Sequence, residues 1–276
     1  MKIEKLTTKD IEEMPYTDFI SLIREENRPP GGKKTIREFL LNSFVNVKSK
    51  VLEVGCTNGF TTLEVARVLG CKTYGIDINN KSLFNARNRI TKEKAKFIYG
   101  DAYNIPFKDN SFDLVICSNA TSFMKDKNKA LSEYKRVVKP WKFIAVSPMY
   151  YLKNPPQKMV DKVSEIIGTK IDITSKEDWL KIFEQSGSEI YYSKDYKFNL
   201  KSKEEIERYV NKSLNKKHIQ ELPKDISDKI KLRWKDTINA FNENLIYVGY
   251  SVILLRKRLE PEEIELFYSE EEKHGK

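Results

Sequence analysis

The sequence predicts an α/β fold, a mainly parallel sheet with helices on both faces. Three observations predict it. From Lys50 to Pro148, short apolar runs alternate with stretches of helical periodicity, the beat of successive βαβ units. A turn bearing two glycines, Gly55-Cys56-Thr57-Asn58-Gly59, stands where the first of these strands meets the first helix. Carboxylates recur at or just past the strand ends, with 24 residues from Glu53 to Asp77 and 24 again from Asp77 to Asp101.

Residues 1–45 read as a helical cap. In Asp18–Ile23, Phe19, Ile20, Leu22 and Ile23 fall at helical spacing, and Arg28-Pro29-Pro30-Gly31-Gly32 breaks that helix. Thr35, with Glu38 three residues on, forms a capping-box pattern for a second helix reaching about Phe44. Lys50–Val54 is a short apolar run ending at Gly55, which suits a buried parallel strand. Thr61–Leu69 places Leu63, Val65, Ala66 and Leu69 on a helical face, closed by Gly70. Thr73–Ile78, Ala95–Tyr99, Phe112–Ser118 and Phe143–Pro148 are the next strands. Lys81–Ile90 and Asn128–Val138 are helices, the second stopping at Lys139-Pro140. Beyond residue 148 the beat changes. Tyr151–Pro156 reads as a loop, Gln157–Ile167 and Asp178–Ser186 as helices, and Glu189–Phe198 and Leu245–Leu255 as the sixth and seventh strands. Ser202–Glu243 is Lys-rich and mostly helical. The expected organisation is a cap at 1–45, a core at 46–199, a helical insert at 200–243, a last core strand at 244–258 and an acidic tail at 259–276.

Composition narrows the function. The 276 residues are 39% hydrophobic and 33% charged, enough chain to bury a core without covalent staples. No run of about 18 apolar residues occurs, so no transmembrane helix is expected. The charged opening, MKIEKLTTKDIEEM, predicts no secretory signal. The cysteines, Cys56, Cys71 and Cys117, are odd in number and form no CxxC pair, and His218 and His274 lie far from them. Neither a disulfide framework nor a metal site is expected, and a reducing cytoplasm is the expected compartment. The net charge of +10 is uneven: 201–258 has fourteen basic against eight acidic residues, and 259–276 two against seven. The basic insert reads either as a solvated face or as a surface for an anionic substrate, RNA or a membrane.

Chemistry concentrates at the glycine turn. Glycine lets a backbone turn tightly and approach a ligand closely, and the helix behind it presents N–H groups. Gly-x-x-x-Gly lacks the third glycine of a dinucleotide fingerprint, which disfavours an NAD-dependent oxidoreductase. One βα unit separates each carboxylate from the next. Glu53, Asp77 and Asp101 are therefore expected on the carboxyl edge of the sheet, where open α/β folds bind ligands. Carboxylates there accept ribose hydroxyls or an exocyclic amine and repel a pyrophosphate. They favour a cationic nucleoside over NAD or ATP.

The motifs Glu53-x-Gly55-Cys56-x-x-Gly59, Gly75-Ile76-Asp77, Gly100-Asp101-Ala102, Phe112-Asp113-Leu114-Val115 and Arg136-Val137-Val138-Lys139-Pro140 follow in order. In them the sequence resembles the class I S-adenosylmethionine-dependent methyltransferases, especially their small-molecule, quinone-biosynthesis-like branch. The resemblance covers about Thr35–Pro148 well and Trp179–Leu255 loosely. It implies a Rossmann-like seven-stranded sheet, S-adenosylmethionine as cofactor, no metal, and a small-molecule acceptor, anionic if the basic insert meets it. The N-terminal helices and the insert would form a lid.

By the same resemblance, Glu53, Gly55 and Gly59, with Cys56 and Thr57 between them, line the methionine end of the cofactor. Asp77 binds the ribose, Ile78 packs on the adenine, and Asp101 accepts from the adenine amine with the Ala102 N–H nearby. Ser118 and Asn119 face the sulfonium and the substrate. In many family members an N-terminal helix closes over the cofactor, which would set Tyr16 over the methionine chain and Arg28 against its carboxylate. Two departures stand out: Thr57 replaces the middle glycine of the first motif, and Trp141-Lys142 replaces a Gly-Gly.

Plainer readings stand beside these. Glu53 suits a helix-end partner, Asp77 and Asp101 suit turns or caps, and Asn119 suits a turn cap. Cys56 and Cys117 suit buried fillers. Tyr150 and Tyr151 suit either a pocket or outer-core packing, and Pro29–Gly32 suits a turn between packed helices. No catalytic base is assigned, because both histidines lie outside the motifs and a sulfonium leaves readily once the reactants are positioned. The rival functions are an RNA methyltransferase using Lys201–Lys235 and a non-catalytic S-adenosylmethionine-binding protein. The oligomeric state is left open.

Overall fold

The computed structural model describes residues 6–26 and 28–260. Five parallel strands, β1 (Lys50–Val54), β2 (Lys72–Asp77), β3 (Ala95–Tyr99), β4 (Phe112–Cys117) and β5 (Val138–Val146), lie in the order β3-β2-β1-β4-β5. The antiparallel half adds β6 (Met149–Tyr151), β7 (Glu189–Lys197) and β8 (Val248–Arg256). Strand β8 pairs with β5 and with β7. The three-residue β6 continues the line of β5 past Ser147-Pro148 and pairs with the start of β8. The sheet thus has the seven expected strands and a short eighth, where Tyr151 was expected to begin a loop.

The central strands are apolar throughout because both faces are covered. Side chains alternate between two cores. Leu52, Val54, Val115, Cys117, Ile144 and Val146 enter one, while Val51, Leu114, Ile116, Phe143 and Ala145 enter the other. Two helices, α3 (Lys33–Asn42) and α4 (Phe60–Leu69), cover the second core. Helix α4 ends at Gly70, which takes the left-handed conformation at φ 66° as expected. Helix α5 (Asn80–Asn88) packs beside them on Leu63 and Phe97, and α6 (Lys127–Val137) and α8 (Lys176–Gln185) cover the first core.

The expected capping box at Thr35 does not form. Helix α3 starts earlier, with Gly32 at the N-cap. Thr35 lies buried inside the first turn, its hydroxyl donating back to the Pro30 carbonyl at 2.5 Å. Glu38 instead accepts from the hydroxyls of Tyr192 and Tyr196. At the other end, Leu245–Tyr247 form the turn after a helix that ends at Asn244, and the last strand begins at Val248.

The remaining helices are α1 (Thr8–Glu13), α2 (Tyr16–Leu22), α7 (Gln157–Ile167), α9 (Lys203–Leu214), α10 (Lys217–Gln220) and α11 (Lys224–Asn244). Ile206, Val210 and Leu214 of α9 and Ile226, Ile230 and Trp234 of α11 meet Ile11, Phe19, Ile20 and Ile23 of the N-terminal segment. Cap and insert therefore share a hydrophobic core separate from those of the sheet. Of the acidic tail, residues 261–276 lie outside the described residues. The three cysteines are free and buried, and no described helix is long and apolar enough to cross a membrane.

Candidate active site

The turn between β1 and α4 is built by backbone geometry. Gly55 and Gly59 sit at φ 73° and 80°. A Cβ on Gly55 would lie 2.7 Å from that of Ala120, and one on Gly59 2.5 Å from the Phe97 ring. The N–H groups of Gly55 and Cys56 both donate to the Ile76 carbonyl, at 2.9 and 3.0 Å. Between the glycines, Thr57 also takes a positive φ, 42°. Its N–H donates to Asp77 Oδ2 at 2.8 Å, and the Asn79 N–H donates to Oδ1 at 2.8 Å. One carboxylate thus joins the glycine turn to the loop after β2. Burial raises the Asp77 pKa, and the N–H groups of Asn79, Thr57 and Ile78 pull it back.

Pairing of Asp77 with Tyr99 places Asp101 just past the same carboxyl edge. Asp101 is exposed, and its Oδ1 accepts the Tyr103 N–H at 2.9 Å. Ala102 beside it is buried. Ile78, next to Asp77, leaves 65% of its surface exposed, an apolar face flanked by carboxylates.

Glu53 lies deeper, and its contacts are those of a helix-end partner. Its Oε2 accepts from the Thr62 N–H at 2.8 Å and the Thr62 hydroxyl at 2.5 Å, in the first turn of α4 where backbone donors lack helical partners. Burial pushes its pKa up to about 7, against the pull of Thr62 and Thr61, and the nearby Asp77 charge adds to the rise. Cys56 is buried beside this acidic pair, and burial with the negative field holds its thiol protonated.

Ser118 and Asn119 follow directly on β4. The buried Ser118 hydroxyl makes no hydrogen bond among the described residues, nor does that of Ser147, between β5 and β6. Asn119 Oδ1 accepts from the Met149 N–H at 3.2 Å and the Ser122 hydroxyl at 2.7 Å, tying the 3-10 turn Ala120–Phe123 to β6. Below it, the Cys117 thiol contacts the Thr121 hydroxyl at 3.0 Å and accepts from Tyr134 at 3.2 Å. Tyr134 is fully buried, and its place in this cluster has no signal in the sequence beyond helical periodicity.

Tyr16 and Arg28 make different direct contacts, though both act on the Tyr209 hydroxyl. The Tyr16 ring meets Phe241 of α11 edge-to-face at 5.9 Å. Arg28 pairs with Glu26 at 2.5 Å and stacks 4.8 Å above the Phe60 ring, at the first residue of α4. The residue that sequence reasoning missed is Asn58. It is wholly buried, and its Nδ2 donates to the carbonyls of Glu25 at 2.7 Å and Ile20 at 3.3 Å. Its Oδ1 accepts from Asn85 at 3.1 Å, and its carbonyl accepts from Arg89 at 2.9 Å. The tip of the glycine turn is thereby stitched to the N-terminal segment and to α5. Asp18 reinforces the seam through Asn79 at 2.9 Å and Lys81 at 2.6 Å.

An orphan hydroxyl, a turn whose two glycines take positive φ and leave no room for a Cβ, and carboxylates near an exposed apolar side chain fit a cationic nucleoside. Acceptors dominate the donors here, which suits hydroxyls and amines and opposes phosphate. Among the described residues, no cluster of three or more His, Cys, Asp or Glu is placed to hold a metal ion.

The family described as "Methyltransferase domain" matches residues 52–146. The chain is 30% identical over 176 residues to an uncharacterized protein of Haemophilus influenzae, covering 62% of this chain and 70% of that one. It is 28% identical over 209 residues to the demethylmenaquinone methyltransferase of Staphylococcus saprophyticus, covering 72% and 82%. A match to a sterol 24-C-methyltransferase of Gibberella zeae, 38% identical over 95 residues, spans 33% of this chain and only 25% of that protein. Among solved structures, the MccD protein superposes with a TM-score of 0.71 at 22% identity, over 84% of this chain and 100% of that one. Phosphoethanolamine N-methyltransferase 2 of Haemonchus contortus, in complex with S-adenosyl-L-methionine, superposes with a TM-score of 0.68 at 15% identity, over 92% and 60%. These two likenesses are of fold.

Proposed function

The chain belongs to the S-adenosylmethionine-dependent methyltransferases of class I, and from that premise we propose that it methylates a small-molecule acceptor. The observation that carries the reading is the union of the glycine turn with Asp77 through the Thr57 N–H, at the carboxyl edge of the sheet. Two relatives are named for demethylmenaquinone and a sterol as small molecules to be methylated, which supports the acceptor class.

S-adenosylmethionine supplies a methyl group activated on a cationic sulfur. In the proposed site each Asp77 oxygen, already accepting one N–H, keeps a lone pair for a ribose hydroxyl. Ile78 offers its exposed face to the adenine, and Asp101, with the Ala102 N–H, reads the adenine edge. The backbone of Gly55, Cys56, Thr57 and Gly59, with Glu53 behind it, lines the methionine end. Ser118 and Asn119 face the reacting centre. Tyr16 and Arg28 belong to the cap that excludes water, and Arg28 would exchange Glu26 for the cofactor's carboxylate.

Burial keeps the Cys117 thiol and the Tyr134 and Tyr150 hydroxyls protonated at neutral pH, and Glu53 is engaged by Thr62. The protein's contribution is therefore positioning rather than proton abstraction. The RNA reading draws less support, because five basic side chains of the insert are already engaged within the chain. Lys229 pairs with Glu12, and Lys231 and Lys235 pair with Glu207. Lys216 and Arg233 donate to carbonyls of the N-terminal segment.

Cofactor carrying a labelled methyl group, incubated with a metabolite panel and separately with total RNA, tests the reading. Label is expected in the small-molecule fraction. Transfer to RNA alone overturns the proposal.

A further inference from the structure

We propose that the acceptor is a soluble amphipathic anion held in the cleft between α9 and α11, its apolar body on α11 and its carboxylate or phosphate on Arg208 and Lys212. This rests on the methyltransferase reading and adds the chemical class of the substrate.

The cleft is an open trough of about 500 Å³, within the size range of small-molecule sites. Its α11 wall is formed by Ile238, Phe241 and, just past the helix, Leu245, which recur at helical spacing and are half-buried; Phe241 meets Tyr16 on one side, and the remaining apolar surface faces the cleft. Its α9 wall carries Lys201, Arg208 and Lys212 against one carboxylate, Glu205. Glu205 is matched by Lys201 at 2.8 Å. Arg208 and Lys212, one helical turn apart and exposed, make no hydrogen bond or ion pair among the described residues. An apolar trough beside two cations that make no ion pair, with Arg208 acting on Glu205 only through its field, complements a molecule with an apolar body and one anionic end.

Position links this cleft to the methyl-transfer centre. Leu245 lies just before β8 and Lys201 just after β7, and the start of β8 pairs with β6, beyond the carboxyl end of β5. The lower end of the cleft therefore meets the same sheet edge as Ser118 and Asn119, whose neighbour Met149 begins β6. A second link runs through Tyr209 of the cleft, which donates to Glu25 Oε1 at 2.6 Å. The Glu25 carbonyl in turn accepts from Asn58 in the glycine turn at 2.7 Å. An occupant of the cleft and an occupant of the glycine turn thus act on one hydrogen-bonded segment, and coupling between them must be reciprocal.

Calorimetry with decanoate, decanol and anionic phospholipid vesicles tests this on the full chain, wild type and Arg208→Gln/Lys212→Gln, with and without S-adenosylhomocysteine. Wild type is expected to bind decanoate at least tenfold tighter than decanol. The double variant should lose about tenfold for decanoate, little for decanol and nothing for S-adenosylhomocysteine. Saturating S-adenosylhomocysteine should tighten decanoate binding several-fold. Equal decanoate affinity in both proteins, or no coupling to S-adenosylhomocysteine, overturns the proposal, as does binding to vesicles without binding to decanoate. Failure of S-adenosylhomocysteine to bind wild type strikes instead at the methyltransferase reading beneath it.

Discussion

Thr57 turns the backbone at φ 42° and Trp141 at φ 61°, and both stand where the resembled family carries glycine. The left-handed conformation costs an L-residue about 1–2 kcal/mol, so the fold keeps a glycine geometry at these points without the glycine. Asp77 holds Thr57 there through its N–H. The Trp141 ring is held by the guanidinium groups of Arg256 and Arg258, at 5.8 and 5.7 Å. Thr57→Gly should raise the melting temperature by about 2 °C, strain relief slightly exceeding the entropic cost of glycine. Gly59→Ala should lower it, since its Cβ meets Phe97. Thermal denaturation checks both, and equal losses would refute the strain argument. Glu53 makes a pH prediction. Its folded pKa, about 7, lies above its ordinary 4.5, so the folded state binds the proton more tightly. The stability from this group is fully present below pH 4.5 and is lost as pH rises through 7, on the order of 3 kcal/mol. Glu53→Gln cannot ionise, so its melting temperature should gain on wild type between pH 5 and 8. Parallel profiles would show that Glu53 does not titrate there. The carboxylates were legible from their spacing, but their partners were not. Asn58 looks like a turn residue in the sequence, and only the fold brings Ile20 and Glu25 against it.

Strands β1, β2 and β4 were legible because burial on both faces leaves an unbroken apolar run. The start of α3 was not. Thr35 and Glu38 match a capping box locally, yet Gly32 begins the helix and the sheet's tyrosines take Glu38. The cap and the insert each read as polar helices in isolation. Their shared core of Phe19, Ile23, Val210 and Trp234 joins segments some 190 residues apart, which no local pattern shows. We expect these elements to respond as one body. On adding S-adenosylhomocysteine, hydrogen exchange should slow at residues 16–26 and 203–244 together with 55–59, with Pro29–Gly32 as the hinge. In Asn58→Ala the cap and insert should lose this added protection, while the turn keeps it. Slowing confined to the turn and the carboxylates would make cap and insert packing elements rather than a lid.

Viewed whole, the molecule divides its work along one sheet edge. The parallel half, β1 to β5, presents the glycine turn and Asp77. The antiparallel half, β6 to β8, carries the insert and its cleft. The parallel half was readable in order because each βα unit repeats one pattern, whereas the antiparallel half depends on contacts made across the sheet. Everything proposed for catalysis passes through Asp77, which shapes the turn and would hold the ribose. Calorimetry of S-adenosylhomocysteine binding to wild type and Asp77→Ala tests this most directly, with thermal denaturation confirming that the variant is folded. Wild type should bind, and the variant should lose roughly 1–3 kcal/mol, about five- to 150-fold in affinity. No binding by wild type, or unchanged affinity in the folded variant, contradicts it.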